Sequence, residues 1–349
     1  MSGKFKSLTL ILFSCFLLYG CSENSSTKIN ENITESAVRD VFAMDTFMSL
    51  KAYGNDAEKA VDDAEERIYE LEKELSATLE DSDIWKLDNS GGKAVEVCDD
   101  TIALIKKAKE IGDKTGGALD ITVYPVLREW GFTTGEYKIP EQSRIDELLA
   151  NVDYRKISIQ ENSVALPENS QIDLGALAKG YTGDEIMKIM ESHGVTSAIV
   201  SLGGNVQSLG SKTDGSPWKV AVRDPFLEDK DMCVVDIIDK AVITSGNYER
   251  FFYGEDGNKY WHIIDPSDGY PADNGLVSVT VIGDNGLECD SLSTALFVLG
   301  YDKTVEYLRS NPQYDVIMVT DDKKIYYTSG IGDSFQNISD MPAEVISVD

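Results

Sequence analysis

The segment 173-DLGALAKG-180 constrains the fold and function of this sequence more than any other stretch. Apolar residues recur at helical spacing after it, which predicts a helix over 176–193 that Gly194 ends. The segment therefore lies where a strand turns into a helix. Backbone N–H groups at such a helix start can hold an anion, and Lys179 can reach a phosphate oxygen. The spacing of a P-loop is absent, and a plain strand–helix turn with a solvated lysine is the alternative.

Helices and strands are mixed on both sides of this segment. Upstream, the pattern predicts a strand over 41–53, a helix started by a capping box at Asn55 and Glu58, helices over 101–113 and 141–150, and a hairpin from 156–159 and 163–166. Downstream, it predicts strands over 198–202, 218–222, 233–238, 241–244, 248–253, 260–264, 276–282, 316–320 and 325–328, with helices over 289–299 and 303–309. No strict βαβ rhythm is present, so the predicted fold class is α+β.

The N-terminus predicts export and a lipid anchor. Lys4 and Lys6 precede an apolar run over 8–18, which is too short for a membrane-spanning helix of about 20 residues. The run ends in a lipobox at Cys21, whose thiol is the acceptor of the lipid; an ordinary secretory signal with a chance cysteine is the alternative. The prediction is a signal peptide over 1–20, a polar tether over 21–38 and a domain over 39–349 on the extracytoplasmic side of the cell membrane.

Composition excludes some classes of protein. The formal net charge of −29 and the pI near 4.3 argue against nucleic acid as a partner, because a phosphate backbone requires a basic surface. Besides Cys21, the predicted mature chain has three cysteines, Cys98, Cys233 and Cys289, which have neither the number nor the spacing of a disulfide framework or a zinc site. Buried, small apolar side chains are the expectation for all three.

Two groups of residues are candidates for chemistry. Asp290, Ser293 and Thr294 share one face of a predicted helix, and their oxygens suit Mg²⁺; the alternative is that Asp290 only caps the helix. His262 lies at the end of a predicted strand, where it is a candidate general base, although a structural role is equally compatible with its position. His193 precedes a helix-ending glycine and is predicted to be structural.

Together these segments resemble the FAD:protein FMN transferase (ApbE) family. The resemblance runs from about 41 to 327 and rests on motifs that occur in the family's order. They are Met-x-Thr (44–46), Asp-x-Thr-x-x-Pro leading to Trp-Gly-Phe (120–132), Asp-Leu-Gly-x-x-Ala-Lys-Gly-Tyr (173–181), Gly-Gly-Asn (203–205), Trp-x-Val-x-x-x-Asp-Pro (218–225), Thr-Ser-Gly-x-Tyr-x-Arg (244–250), His-x-Ile-Asp-Pro-x-x-Gly-Tyr-Pro (262–271) and Asp-x-x-x-Thr-Ala-Leu (290–296).

The resemblance implies a two-lobed α+β flavin transferase fold and a reaction. FAD is the substrate, Mg²⁺ is the cofactor, AMP leaves, and FMN is joined to a threonine or serine of an exported acceptor such as a subunit of a membrane redox complex. It implies that the metal is held by Asp290, Thr294, Ser293 and the backbone oxygen of Ala176, and that His262 is the base. The implied FAD contacts are Met44, Thr78, Ala118, Leu119, Asp120, Asp173, Lys179 and Ile264. The chain departs from the family pattern at Ser293, where many relatives carry Asp, and at Thr78, where relatives often carry an aromatic residue.

Two other functions are compatible with parts of this pattern. A Mg²⁺-dependent FAD pyrophosphatase would use nearly the same residues, with water in place of the acceptor hydroxyl. A lipid-tethered flavin-binding or solute-binding protein without chemistry would need the phosphate-binding segments, but neither His262 nor the metal-binding helix. The joint presence of these two features favours an enzyme.

Overall fold

The computed structural model describes residues 35–348. The predicted signal peptide and Cys21 lie outside these residues. The first strand begins at Ser36, inside the segment predicted as a tether, so the folded domain starts before the predicted residue 39. Within the described part of the chain, no helix has the length and apolar character needed to cross a membrane.

Helices and strands are mixed along residues 35–348, as α+β predicts. The helices are α1 (Ala57–Leu75), α2 (Asp83–Asp88), α3 (Asp99–Lys114), α4 (Tyr124–Glu129), α5 (Gln142–Leu149), α6 (Ala178–Ser192) and α7 (Gly286–Arg309), with short 3₁₀ helices at Ile121–Val123, Tyr154–Lys156 and Ser329–Ile331. The strands are β1 (Ser36–Ala43), β2 (Thr46–Tyr53), β3 (Val95–Glu96), β4 (Ser158–Gln160), β5 (Ser163–Ala165), β6 (Ser197–Leu202), β7 (Asn205–Leu209), β8 (Trp218–Arg223), β9 (Asp231–Ile237), β10 (Ala241–Gly246), β11 (Phe251–Tyr253), β12 (Lys259–Trp261), β13 (Leu276–Gly283), β14 (Asp315–Thr320), β15 (Ile325–Thr328), β16 (Phe335–Asn337) and β17 (Ala343–Ile346).

A nine-stranded sheet organises the protein, with the strand order β1-β2-β6-β7-β10-β13-β14-β15-β17. Helices α1, α6 and α7 cover one face of this sheet, and the small sheet β16-β9-β8 packs on part of the other face. All eight residues of β13 are buried, because both faces of the sheet are covered there. The strand β13 lies beside β10, and the two strands lead into the loops that carry the functional site.

The predicted strand over 41–53 is wrong, because it is a hairpin of two strands. Met44 and Asp45 form a two-residue turn between β1 and β2, and both have positive φ (50° and 58°). This backbone conformation normally selects Gly, Asn or Asp, so Asp45 fits it and Met44 does not. The predicted capping box is also wrong: the N-cap of α1 is Asp56, and its side chain makes no capping hydrogen bond.

Glycines allow α6 and α7 to approach closely. A Cβ atom at Gly180 would lie 2.2 Å from the carbonyl oxygen of Gly286, and a Cβ atom at Gly286 would lie 1.8 Å from Nε2 of Gln207. Asp184 of α6 also accepts hydrogen bonds from the first N–H groups of α7, at Gly286 (2.7 Å) and Leu287 (2.9 Å). The start of α7 is therefore fixed against α6. Farther along, Gly300 (φ 79°) interrupts α7, which explains why the sequence predicts two helices there.

Candidate functional site

Asp290 lies inside α7 and is not the residue that caps it. The N-cap of α7 is Asn285, whose side chain accepts the N–H of Glu288, so the capping alternative for Asp290 is wrong. Oδ2 of Asp290 accepts the N–H of Gly180 at 2.8 Å. Burial raises the pKa of Asp290, while Lys179 and the Gly180 N–H act in the opposite direction. One oxygen of this buried carboxyl is thus held by α6, and within residues 35–348 the other accepts no hydrogen bond of full geometry.

The same hydrogen bond satisfies the start of α6. Gly180 is the third residue of this helix, and the N–H groups of the first turn of a helix have no partner within the helix. Asp290 of α7 accepts the N–H of Gly180. The carbonyl oxygen of Ala176, which was predicted to bind the metal, precedes the helix and accepts no hydrogen bond within the described residues.

Ser293 and Thr294 meet a third hydroxyl that the sequence did not assign to the site. Oγ of Ser245, on β10, lies 2.8 Å from Oγ of Ser293 and 3.1 Å from Oγ1 of Thr294. Oγ of Ser293 also donates to the carbonyl oxygen of Asp290 at 2.8 Å. Three hydroxyl oxygens and one carboxylate therefore lie within neighbouring turns of α7 and the adjacent strand, and all are hard ligands.

Asn205 adds a polar group beside this cluster. It follows the Gly203–Gly204 turn, which joins β6 to β7. Asn205 is buried, and its side-chain amide acts as a donor toward Asp290 and lowers the pKa of that carboxyl. This contact lacks the geometry of a full hydrogen bond, and Nδ2 has no other partner in residues 35–348. A buried amide without a partner is costly unless a ligand oxygen satisfies it.

Asp173 and Lys179 lie near each other at the start of α6, although a loop precedes this segment and not the strand that was predicted. Oδ1 of Asp173 accepts the N–H of Gly175 at 2.8 Å. Burial raises the pKa of Asp173, and both Lys179 and Arg250 oppose this rise. Arg250 is therefore a second cation at this position. It was not assigned by the sequence analysis, although it ends the Thr-Ser-Gly-x-Tyr-x-Arg segment.

Lys179 and Arg250 also lie close to His262. Its backbone N–H donates to the carbonyl oxygen of Arg250 at 3.1 Å, and its Nδ1 lies 3.3 Å from the same oxygen. Burial lowers the pKa of His262 to about 4, and Arg250 and Lys179 add to this effect because they disfavour a further positive charge. The imidazole is therefore neutral at pH 7, which a general base requires.

Met44 occupies the turn between β1 and β2. Its N–H donates to Oε1 of Glu72 at 2.6 Å, and its sulfur accepts the hydroxyl of Thr182, on α6, at 3.7 Å. Positive φ in a methionine is unfavourable, and such conformations are found preferentially at functional sites. The contact with α6 connects the turn to the helix that carries Lys179.

The remaining predicted FAD contacts differ in how deeply they are buried and in which hydrogen bonds they make. Ala118, Leu119 and Ile264 are buried. Asp120 accepts hydrogen bonds from the N–H and hydroxyl of Thr122 and from the N–H of Tyr154. Its carboxylate therefore fixes the positions of these two backbone segments. Thr78 is exposed, with its hydroxyl 3.2 Å from Oγ of Ser76, and no hydrogen bond within the described chain connects it to the other predicted site residues.

Residues outside the site have structural roles. His193 is structural as predicted, since its Nε2 lies 2.7 Å from Oδ2 of Asp63. Cys233 and Cys289 are buried as expected, but Cys98 is only half-buried and caps α3 by accepting the N–H of Thr101. Cys98 also lies close to Glu74 and Asp100, and the three side chains are near enough to one another to be candidate metal ligands. The guanidinium of Arg67 already pairs with Asp100, so this group is an ion-pair network.

Solved structures with this fold define the class of protein. The flavin transferase ApbE from Vibrio cholerae superposes with a TM-score of 0.77 at 26% identity and covers 86% of this chain and 99% of that one. The ApbE protein from Thermotoga maritima superposes with a TM-score of 0.80 at 31% identity over the same shares. The protein is therefore a transferase with the α+β fold that was predicted.

Sequence comparisons identify the family. Residues 44–318 match the model of the ApbE family. The FAD:protein FMN transferase of Treponema pallidum is 34% identical over 310 residues, which cover 82% of this chain and 85% of that protein. The enzyme of the same name from Escherichia coli K12 is 32% identical and covers 88% and 91%. The chain belongs to the ApbE family, as its motifs predicted.

Proposed function

We propose that the protein transfers the FMN part of FAD to a threonine or serine hydroxyl of an exported or membrane protein and releases AMP. The observation that carries this proposal is the position of His262. Its neutral imidazole can accept a proton. Lys179 and Arg250 lie close both to this imidazole and to the start of α6, where a phosphate is expected to bind. A base and phosphate-binding cations are thereby available to one reaction.

The bonds exchanged in this reaction balance. The acceptor oxygen forms a bond to the phosphorus on the FMN side of the pyrophosphate, and the bond from that phosphorus to the bridging oxygen breaks. AMP leaves with the bridging oxygen. The proton of the hydroxyl passes to Nε2 of His262, because Nδ1 lies beside the Arg250 carbonyl. Lys179 and Arg250 stabilise charge on the phosphate oxygens.

The residues present fit Mg²⁺. Asp290 supplies the one carboxylate, Thr294 and Ser293 supply hydroxyls, and Ala176 has a carbonyl oxygen that accepts no hydrogen bond within the described chain. An all-oxygen set with one negative charge suits a metal that keeps positions for substrate phosphates. When bound there, Mg²⁺ would neutralise and polarise the pyrophosphate. The buried amide of Asn205 is placed to donate to a phosphate oxygen beside it.

For location, we propose that the protein is attached to the cell membrane by a lipid on Cys21 and works on the extracytoplasmic side. The lipobox motivates this proposal. Subunits of membrane redox complexes are the acceptors that such a location favours. Cys21→Ser should abolish labelling of the protein by radioactive palmitate in cells, and labelling that persists would contradict the proposal.

A single incubation tests the reaction. The purified full chain is mixed with FAD, Mg²⁺ and the exported proteins of its own host, which are then denatured and examined for covalent flavin by in-gel fluorescence and mass spectrometry. Transfer predicts a threonine or serine with the mass of FMN added, together with AMP. FMN released in free form, with no labelled protein, would instead identify a pyrophosphatase. If FAD remains intact, the protein only binds flavin.

A further inference from the structure

The hairpin formed by β11 and β12 has an unpaired edge next to His262. The two strands form a sheet of their own, in which Phe251 pairs with Trp261 and Tyr253 pairs with Lys259. Backbone hydrogen bonds join His262 to Arg250 and Gly254 to Asn258 at the two ends of this ladder. Because hydrogen-bonded and non-hydrogen-bonded pairs alternate, the N–H and C=O groups of Phe251 and Tyr253 face away from β12.

No strand of the described chain pairs with this edge. The N–H groups of Phe251 and Tyr253 make no hydrogen bond with another group of residues 35–348. The side chain of Tyr253 is 68% exposed, and the Phe251 ring carries the ammonium group of Lys259 at 4.2 Å from its centroid. The other face of the hairpin is anchored, since Phe252 and Tyr260 pack against Trp130. The edge is thus both open and rigidly held.

This edge leads directly to the proposed base. The ring of His262 leans over the carbonyl group of Arg250, the residue that precedes β11. A strand added beside β11 would run about 10 Å from the backbone of His262, which is two strand spacings. The imidazole of His262 and a threonine side chain of the added strand can together bridge this distance of about 10 Å when both point to the same face of the extended sheet.

Charge indicates which kind of chain fits. The protein has a net charge of −29, and 15 of the 29 lysines and arginines in residues 35–348 are paired with carboxylates. Lys179, Arg250 and Lys259, which lie around His262 and the hairpin, form no ion pair with a carboxylate of residues 35–348. A segment that carries carboxylates would complement these three cations and would be repelled by most of the remaining surface.

We propose that the free edge of β11 is the docking surface for the acceptor protein, which adds an extended, acidic segment as a third strand of the hairpin. Strand addition obtains affinity from backbone hydrogen bonds, and the register of the added strand determines which side chain reaches His262. This inference rests on the proposed transferase function, because it assigns the partner of that same site.

The test uses a 20-residue peptide that spans the residue modified in the incubation described above. Tyr253→Pro removes one outward N–H, and proline is tolerated on a strand edge when its N–H would face solvent. The apparent KM for the peptide should rise at least tenfold, with kcat and the affinity for FAD little changed. Tyr253→Ala keeps the N–H and should raise KM less than threefold. Val38→Pro is the matched control, since its N–H also faces outward from an edge strand, β1.

A second arm leaves the protein unchanged. Two versions of the peptide are N-methylated on alternate residues, one on even and one on odd positions. Strand addition predicts that only one version loses its activity as an acceptor, because only one set of N–H groups faces β11. Equal acceptance of both peptides, or an unchanged KM in Tyr253→Pro, would overturn the docking surface while transfer by the wild type continues. If the wild type labels no acceptor at all, the transferase function itself fails.

Discussion

Gly180 and Asp290 join the two helices that build the site. The N–H of Gly180 donates to Oδ2 of Asp290 at 2.8 Å, and a Cβ atom on Gly180 would lie 2.6 Å from Cβ of Asp290. A real Cβ atom does not approach its neighbours so closely. The carboxylate therefore keeps its position only because residue 180 has no side chain.

The first prediction follows from that contact. Gly180→Ala should push α6 away from α7 and destabilise the protein by about 1–3 kcal/mol, since overpacking in a fixed interface costs that amount. The Mg²⁺ concentration needed for half-maximal activity should rise, because the carboxylate moves. Urea unfolding and a Mg²⁺ titration measure the two effects. Glu191→Ala, on the exposed end of the same helix, is the control and should change neither.

Asp290→Asn should separate charge from shape. The amide preserves the volume but removes the only carboxylate among the proposed ligands, so Mg²⁺-dependent AMP release should fall at least 100-fold. Mg²⁺ should raise the melting temperature of the wild type and leave that of the variant unchanged, since only a bound ligand stabilises the folded state. Asp284→Asn, an exposed substitution nearby, should behave as the wild type does. A variant that Mg²⁺ still stabilises would remove Asp290 from the ligand set.

The pH dependence of transfer should show the low pKa of His262. The base works when neutral, and its pKa of about 4 keeps it neutral across pH 5.5–8. The value of kcat/KM should therefore have no limb near pH 6.5 that depends on this histidine, and should fall only below about pH 5. His262→Asn should lower transfer by about 10²–10⁴-fold at unchanged FAD affinity.

His193→Gln is the matched control for this experiment, because His193 contacts Asp63 on the surface of α1. It should keep the activity and the pH profile of the wild type. An acid limb near pH 6.5 that disappears in His262→Asn would show that the imidazole titrates normally and is not held neutral.

Asp88 should reduce the stability of the folded state at neutral pH. Its Oδ1 accepts the N–H of Ile172 at 2.8 Å, while its Oδ2 is buried without a partner in residues 35–348. Burial raises the pKa of Asp88 to about 7, with a further contribution from Asp173. A carboxyl whose folded pKa lies above its unfolded value favours folding below that unfolded value. This advantage is lost as the pH rises from about 4 to about 7.

Asp88→Asn should therefore stabilise the protein at pH 8 by roughly 2–4 kcal/mol and by less at pH 5. Denaturant unfolding at the two pH values measures the difference. Asp81→Asn, at an exposed position whose positive φ asparagine tolerates, should have no such effect. An equal gain at both pH values would show that the carboxyl of Asp88 is not the titrating group.

Local patterns in the sequence predicted much of the fold. The apolar residues of α1, α3 and α6 recur at helical spacing, so these helices were located to within a few residues. The Met44–Asp45 turn was missed, because methionine is not typical of positive φ and the flanking strands form one continuous apolar pattern. Strand β16 was not predicted, since it pairs with β9, which is distant in the chain. Strand β17 pairs with the nearby β15 but was also missed, because three of its four residues are exposed and give no apolar alternation.

Some residues of the site could also be predicted from local sequence patterns, and others could not. Asp290, Ser293 and Thr294 could be grouped from their spacing on one helix. Ser245 and Arg250 reach the site through pairing and loop geometry, so no local spacing connects them to α7 or to His262. The side-chain amide of Asn205 lacks a full hydrogen bond within residues 35–348, and this becomes apparent only when all its neighbours are known.

The two ends of the folded domain lie on opposite edges of the large sheet. Strand β1 is one edge, β17 is the other, and seven strands separate them. At about 4.8 Å per spacing, β17 lies roughly 38 Å from β1. Under the lipid anchor proposed above, a fluorescent label fused to the C-terminus would report the height and tilt of the domain above the bilayer by energy transfer to a lipid dye. A short peptide could not join the two termini, so circular permutation of this enzyme would require a linker that crosses the full width of the sheet.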